Sequence, residues 1–575
     1  MAESYNELKK LAAEYYMKNH VPERIEEILN NMFFENPRDI YGRLSEFFEN
    51  YALSPVLSDV HGSVVYSSNG TPAVKCSLLA IVKNKDKFLA SSYLALDNEM
   101  LQVQGQVYQD NESPPTVEEI ADKTCVNINA EIAPKIKGIP LLNQAEIDKA
   151  LSDWMNEMEN AVSSSTDVSE NNNPRTPTPS SGKKKKVPSG KVKGGKAPEK
   201  PIPPKEPAQP RLKGCSSISA TSLVTLKASS VFLAQPPFLH LHRSMSGCEG
   251  KEEIRLPTPV ISIITGGKSS PGKLNIFKNI FAISRPGLPV NESVGNLVKV
   301  YQAVERSLAA KSSVGVVTAP GGGLQPVYDK PEQPLDVVLE AIQTAGFTPG
   351  QDIYVGIETD ATNAFDYDKG KYEISNSLFK SADELVELYR DLLARYPAVI
   401  MLIDPIRKED KEQWPKLCDV ISEKCFVIGG SSIYGPLHSL NQNQLCARRS
   451  SGVAIATGSR VTCSDLYRIV QDVRANGDVT ILLSPPADAS DDIYTDVGVG
   501  LGVDFVSFGA PSRGENVDRL NRFVEIEEIL KQRDVMTVSP QKSFNFPLIK
   551  PPPAPLSDEE GDVILNPPDQ KTKKK

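Results

Sequence analysis

Between Ser262 and Arg533, short apolar runs alternate with amphipathic helical segments, and few folds satisfy that alternation. The runs are Val316-Val317-Thr318-Ala319, Ile353-Tyr354-Val355-Gly356-Ile357-Glu358, Val399-Ile400-Met401-Leu402-Ile403-Asp404, Phe426-Val427-Ile428-Gly429-Gly430, Val453-Ala454-Ile455-Ala456, Val479-Thr480-Ile481-Leu482-Leu483-Ser484 and Phe505-Val506-Ser507-Phe508-Gly509. Near-continuous β-branched runs of this kind suit parallel strands buried on both faces. Segments between them, such as Ala382 to Leu393, carry apolar residues at helical spacing. From Asp404 onward the strand ends recur about every 24 to 28 residues, room for one strand, one helix and two short loops. The rhythm predicts a (β/α) barrel, with irregularity allowed in its first strands. Chemistry in such a barrel sits at the C-terminal strand ends, so those residues decide what the chain can do.

The full chain of 575 residues is too long for one domain. A net charge of -9 and a pI near 5.4 give no global reason to expect nucleic acid as a partner. Eight cysteines are scattered without a Cys-x-x-Cys pair or zinc-like His/Cys spacing, as for buried reduced thiols of a cytosolic protein. No apolar run approaches the length of a membrane span, and the N-terminus has no signal-peptide pattern. The expectation is a cytoplasmic protein without a membrane partner.

Residues 1–52 read as a helical hairpin. Pro22 opens a helix whose Ile25, Ile28, Leu29, Met32 and Phe33 share a stripe. Asn36-Pro37 reads as the entry to a second helix with Ile40, Tyr41, Leu44, Phe47, Phe48 and Tyr51 on one face. Two short helices cannot bury that surface alone, so pairing with a second copy is expected; packing on their own chain is the plainer reading. Residues 55–104 read as β-rich around an Asn69-Gly70 turn. From Ser163 to Lys213, Ser, Pro, Gly and Lys dominate, with a Lys183-Lys184-Lys185-Lys186 run; this is expected to be a disordered insert. Helical sequence resumes at Ser216. The resulting division is a hairpin at 1–52, an α+β domain at 55–245 with its insert at 163–213, a barrel at 255–540 and a flexible tail at 541–575.

Several ordered motifs resemble the enolase family, including an enolase-like branch associated with sperm. Val65-Tyr66-Ser67-Ser68-Asn69-Gly70-Thr71-Pro72 is similar to the family's opening strand turn, and Ile132-Ala133-Pro134 to its I-A-P. Asp368-Lys369-Gly370-Lys371-Tyr372 is similar to its D-G-K-Y. Ile403-Asp404-Pro405 follows its I-E-D-P, and Phe508-Gly509-Ala510-Pro511-Ser512-Arg513-Gly514-Glu515 its T-G-A-P-x-R-S-E. The hairpin resembles the docking domains of Dpy-30 and of protein kinase A regulatory subunits. That resemblance implies a homodimer gripping an amphipathic anchoring helix, often of a ciliary or flagellar protein.

The enolase resemblance implies dehydration of 2-phosphoglycerate to phosphoenolpyruvate in glycolysis. It also implies two magnesium ions on three strand-end carboxylates, a lysine base and a glutamate acid. The matching positions are depleted. The metal carboxylates fall on Glu358, on Ile403 beside Asp404, and on Gly430; the base on Ala454, or Ala456 one pleat on; the acid on Gly321. Substrate-binding positions fall on Ser269 or Ser270, Ser484 and Ser507, and the mobile serine loop on Ser91 to Leu96. Glu358 and Asp404 are thus the metal-ligand candidates. The plainer reading makes them mouth carboxylates paired to a neighbouring Lys or Arg. The expectation is a weak or inactive enolase-family lyase acting as a structural or docking subunit in cytoplasm, cilium or sperm flagellum. Two alternatives stay open. One is an active enolase with a displaced lysine, Lys268 or Lys278 near the strand after Gly266-Gly267, with Arg460 just beyond Ala456 as a further cation. The other is a binder of another phosphorylated metabolite through Gly321-Gly322-Gly323.

Overall fold

The computed structural model describes residues 2–96, 116–166, 215–247, 253–268, 270–311, 315–376, 378–430, 437, 440, 442–447, 450–456, 461–485, 488–535, 544 and 546. Most of the lysine-rich tract therefore lies outside the described residues. Its first residues do not: the helix Gln144–Thr166 continues through Ser163.

Three helices open the chain: Ala2–Lys18, Val21–Glu35 and Ile40–Glu49. The first was missed in the sequence, although Leu8, Leu11 and Tyr15 recur at helical spacing. Pro22 sits in the opening turn of the second, where a missing N–H costs nothing. Asn36 ends that helix in the left-handed conformation (φ 49°) rather than opening the next. Asp39 opens the third, its Oδ1 accepting the Gly42 N–H at 2.8 Å. Ile28 and Phe47 are buried, but Leu29, Phe33, Phe34, Ile40 and Tyr41 are exposed.

An antiparallel sheet follows, β1 (Val56–Tyr66), β2 (Pro72–Val82) and β3 (Lys85–Ala95), in that order. The β2–β3 connection places Lys83 and Asn84 both at positive φ, the two-residue turn that matches strand twist. The helix Ser216–Phe232 packs against β2 and β3 and is buried nearly all round. No single helix among the described residues is long and apolar enough to cross a membrane; this one passes only together with Pro237–Ser246, across a 103° bend.

Eight strands then close a barrel: β4 (Thr258–Thr265), β5 (Phe277–Ser284), β6 (Ile353–Thr359), and, after a small sheet of β7 (Phe365–Asp366), β8 (Lys371–Ser375) and β9 (Leu378–Lys380), β10 (Val399–Ile403), β11 (Phe426–Gly429), β12 (Gly452–Ala456), β13 (Val479–Leu483) and β14 (Phe505–Ser507). Seven run parallel. β5 runs antiparallel to both β4 and β6. The short link 266–276, broken by Gly266, Gly267, Pro271 and Gly272, leaves no room for the crossover helix a parallel pair needs. The helices Val290–Lys311 and Glu332–Thr344 then come in succession before β6.

Val316–Ala319, read above as a strand, is not one. It makes only the isolated bridge Thr318↔Leu324, and Val317 is exposed. The eight other strands already close the ring, so this run has no edge to join.

Val260, Phe281, Ile283, Met401, Ile403, Phe426, Ile428, Ala454, Ile481 and Phe505 form one buried apolar cluster on the barrel strands. Phe544 and Phe546 join it from the stretch read as a loose tail: the Phe544 ring stacks on Phe505 at 5.8 Å and meets Tyr354 at 5.0 Å, while Phe546 lies 4.8 Å from Phe426. Because these rings contact the cluster, changing both to Ala is expected to lower unfolding free energy by about 2–4 kcal/mol. Urea unfolding of the full chain checks it; an unchanged midpoint would show that the contact contributes nothing.

Candidate functional site at the barrel mouth

Glu358, the penultimate residue of β6, and Ile403, the last of β10, are paired neighbours in the sheet. Opposite Glu358 on its other side lies β5, where the register slips: Phe277 pairs with Thr359 and Asn279 with Glu358, leaving Lys278 as the extra residue of a bulge. A bulge re-aims side chains, and here two consecutive residues reach one carboxylate. Lys278 Nζ lies 3.1 Å from Glu358 Oε1. Asn279 Nδ2 donates to Glu358 Oε2 at 2.6 Å, and Thr265 Oγ1 donates to Asn279 Oδ1 at 2.9 Å. Glu358 is 13% exposed and Lys278 31%.

Asp404 is turned elsewhere. Its backbone adopts φ 50°, its Oδ1 accepts the Gly430 N–H at 2.6 Å, and its carbonyl accepts from the Thr359 hydroxyl. Gly430 is packed so that a Cβ would stand 2.9 Å from Asp404 Oδ2. Ile403 and Ala454 belong to the apolar interior. Ala456 ends β12 half-buried. Ser507 is buried, with its carbonyl accepting the Tyr494 hydroxyl at 2.9 Å, and Ser484 is half-buried just past β13. Ser269 and Arg460 lie outside the described residues; neighbouring Ser270 donates to the Gly266 carbonyl at 2.8 Å. Lys268 faces Glu373 at 3.9 Å.

The glycine turn is tied down by its carbonyls. Gly321 O accepts from Ala510 N at 3.2 Å and Asn516 Nδ2 at 3.1 Å; Gly322 O accepts from Tyr301 Oη at 2.8 Å and Ser512 Oγ at 3.0 Å. The Gly322 N–H donates to Ala319 O at 2.8 Å, so the turn does not present it to an anion. A Cβ on Gly323 would lie 2.1 Å from Thr265 Oγ1.

Ser91 to Ala95 are not a loop but the last residues of β3. Tyr93 N donates to Asp491 Oδ2 at 2.9 Å and Ala95 N to Asp488 Oδ1 at 3.2 Å. Burial pushes the Asp488 carboxyl up to about 6, against the buried Arg519 guanidinium beside it. A mobile loop at these positions is therefore replaced by a strand fastened to the segment after β13.

A small cleft beside the mouth is lined by Thr265, Gly266, Lys278, Asn279 and Tyr328. Burial pushes the Tyr328 hydroxyl up to about 12, so it stays a neutral phenol at physiological pH. The sequence offered Lys278 only as a candidate displaced lysine near the strand after Gly266-Gly267. Its partnership with Asn279 and Glu358 depends on the bulge, which no local pattern announces.

Magnesium prefers six oxygen ligands in octahedral geometry. Among the described residues no three His, Cys, Asp or Glu side chains converge on a point where a metal could sit. Both oxygens of Glu358 and one of Asp404 face donor hydrogens, and Gly430, the position expected from the resemblance to carry a third carboxylate, has no side chain. The donor set does not fit the two-magnesium centre.

Residues 253–541 match the family described as Enolase, C-terminal TIM barrel domain. The chain is 34% identical over 535 residues to Enolase 4 of Xenopus laevis, covering 92% of each. It is 30% identical to Enolase 4 of Homo sapiens, covering 94% of this chain and 91% of the relative. Against Enolase of Metallosphaera sedula it is 28% identical, covering 55% of this chain and 72% of the relative.

Because Gly323 abuts Thr265, Gly323→Ala is expected to cost about 1–3 kcal/mol by overpacking. Chemical denaturation reads this directly. A variant as stable as the parent would mean that the turn is not locked against β4.

Proposed function

Since the chain belongs to the enolase family, we propose that its barrel is kept as a scaffold with little or no phosphopyruvate hydratase activity, and that the chain serves as a structural and docking subunit. The mouth carries the reading. The dehydration needs a base near the substrate α-proton, an acid at the departing hydroxide and positive charge on the enolate. On the correspondence that the family resemblance implies, those places fall on Ala454, which is apolar interior, on Gly321, whose carbonyl is tied to Asn516, and on Glu358, whose carboxylate is already paired with Lys278.

The N-terminal helices supply the docking half of the proposal. Tyr16, Val21, Pro22, Ile25 and Leu29 line an open groove, and Phe33, Phe34 and Tyr41 are largely exposed. Apolar surface of this extent marks an interaction site. The resemblance to dimeric docking hairpins assigns it a second copy and an amphipathic helix of a ciliary or sperm-flagellar partner.

Lys278 is the one observation favouring a catalytic alternative, since it brings an amine to the mouth. That amine is already engaged: its Nζ lies 3.1 Å from Glu358 Oε1 and so faces a carboxylate of its own chain.

Purified full-length protein with magnesium and 2-phosphoglycerate tests the proposal. Loss of acid or base alone removes roughly 10²–10⁴ in rate, so kcat is expected to fall at least that far below an ordinary enolase. Turnover within about tenfold of the ordinary enzyme contradicts the proposal. For the hairpin, Leu29→Asp with Phe33→Asp is expected to convert a dimer to monomer in sedimentation and to remove binding of an amphipathic helix. Unchanged mass and binding would refute the docking assignment.

A further inference from the structure

We infer that Lys278 is a built-in replacement for the divalent cation, making the mouth's charge balance internal to the chain and independent of metal. This rests on the scaffold reading of the barrel but makes a separate claim about cation binding. The two oxygens of Glu358 have complementary partners: an ammonium at 3.1 Å from Oε1 and an amide at 2.6 Å from Oε2. A carboxylate accepts and never donates, so both its oxygens are thereby served. Magnesium would have to stand about 2.0–2.1 Å from its ligand oxygens, in space the donor hydrogens face.

The surroundings reinforce the exchange. The bulge at Lys278 brings the ammonium and the amide to Glu358 together, and Thr265 fixes the amide's orientation through its oxygen. The carboxylate a metal would recruit next, Asp404, has one oxygen on the Gly430 N–H. A Cβ on Gly430 would stand 2.9 Å from Asp404 Oδ2, so a side chain at this position would have to displace that carboxylate. A partly buried anion needs a counter-charge. Lys278 provides it, and the mouth needs no second source.

Two measurements on the full chain test this. The first compares melting temperature in EDTA and in excess Mg²⁺ or Mn²⁺ for the parent and for Glu358→Gln. Anything that binds the native state raises its Tm by mass action. The expected result is the same response in both proteins. A metal-dependent rise in the parent that vanishes in Glu358→Gln overturns the inference. The second is a double-mutant cycle with Lys278→Met and Glu358→Gln. Lys278→Met alone strands the carboxylate and is expected to lower Tm by at least about 2 °C. The uncharged pair is expected to recover part of that loss, and strictly additive losses overturn the inference. Should Lys278→Met alone fail to fold, recovery of folding by the uncharged pair supports the exchange and its absence refutes it. The outcomes also separate the two readings. Turnover that persists in EDTA removes the scaffold proposal and leaves this inference standing, whereas metal binding through Glu358 without turnover does the reverse.

Discussion

Closure of the eight-stranded ring is the constraint from which the rest of the structure follows. A closed sheet has no free edge, and its inward side chains must fill the interior. Val260, Phe281, Met401, Phe426, Ile481 and Phe505 do so. The ring closes with β5 entering antiparallel between β4 and β6. That same strand carries the bulge that delivers Lys278 and Asn279 to the mouth.

Fold and function depend on different residues in this barrel. The fold needs apolar layers, strand ends that can turn, and the segment from Ala510 to Asn516 that grips the glycine turn. The family reaction needs charged side chains just above the last apolar layer. Ile403 and Ala454 extend the apolar layer into that zone, and glycine stands at 321 and 430. Such changes do not disturb packing, because a small or apolar residue at a strand end requires no partner. On the proposed reading, this barrel keeps its architecture without the family chemistry.

The barrel was legible because buried strands and amphipathic helices leave different periods in the sequence. The runs at Ile353, Val399, Phe426, Val453, Val479 and Phe505 all became barrel strands. Val316–Ala319 misled because a short β-branched run carries no information about whether a partner edge is free. Asn36 misled because asparagine serves equally to start a helix or to end one in the left-handed region. Glu358 and Asp404 could be placed from motif order alone, but their partners could not. Lys278 reaches Glu358 through a slip of one residue between antiparallel strands, a property of pairing rather than of any local stretch. The two phenylalanines at 544 and 546 were hidden by a proline- and lysine-rich context that resembles a solvated tail.

A crystal structure of the full chain grown with Mn²⁺ and phosphoenolpyruvate, with anomalous scattering used to locate metal, bears most directly on the central claim. The account predicts that Lys278 stays on Glu358 and that no anomalous peak stands between Glu358 and Asp404. A pair of peaks there, with Lys278 swung away and substrate bound across them, would contradict it.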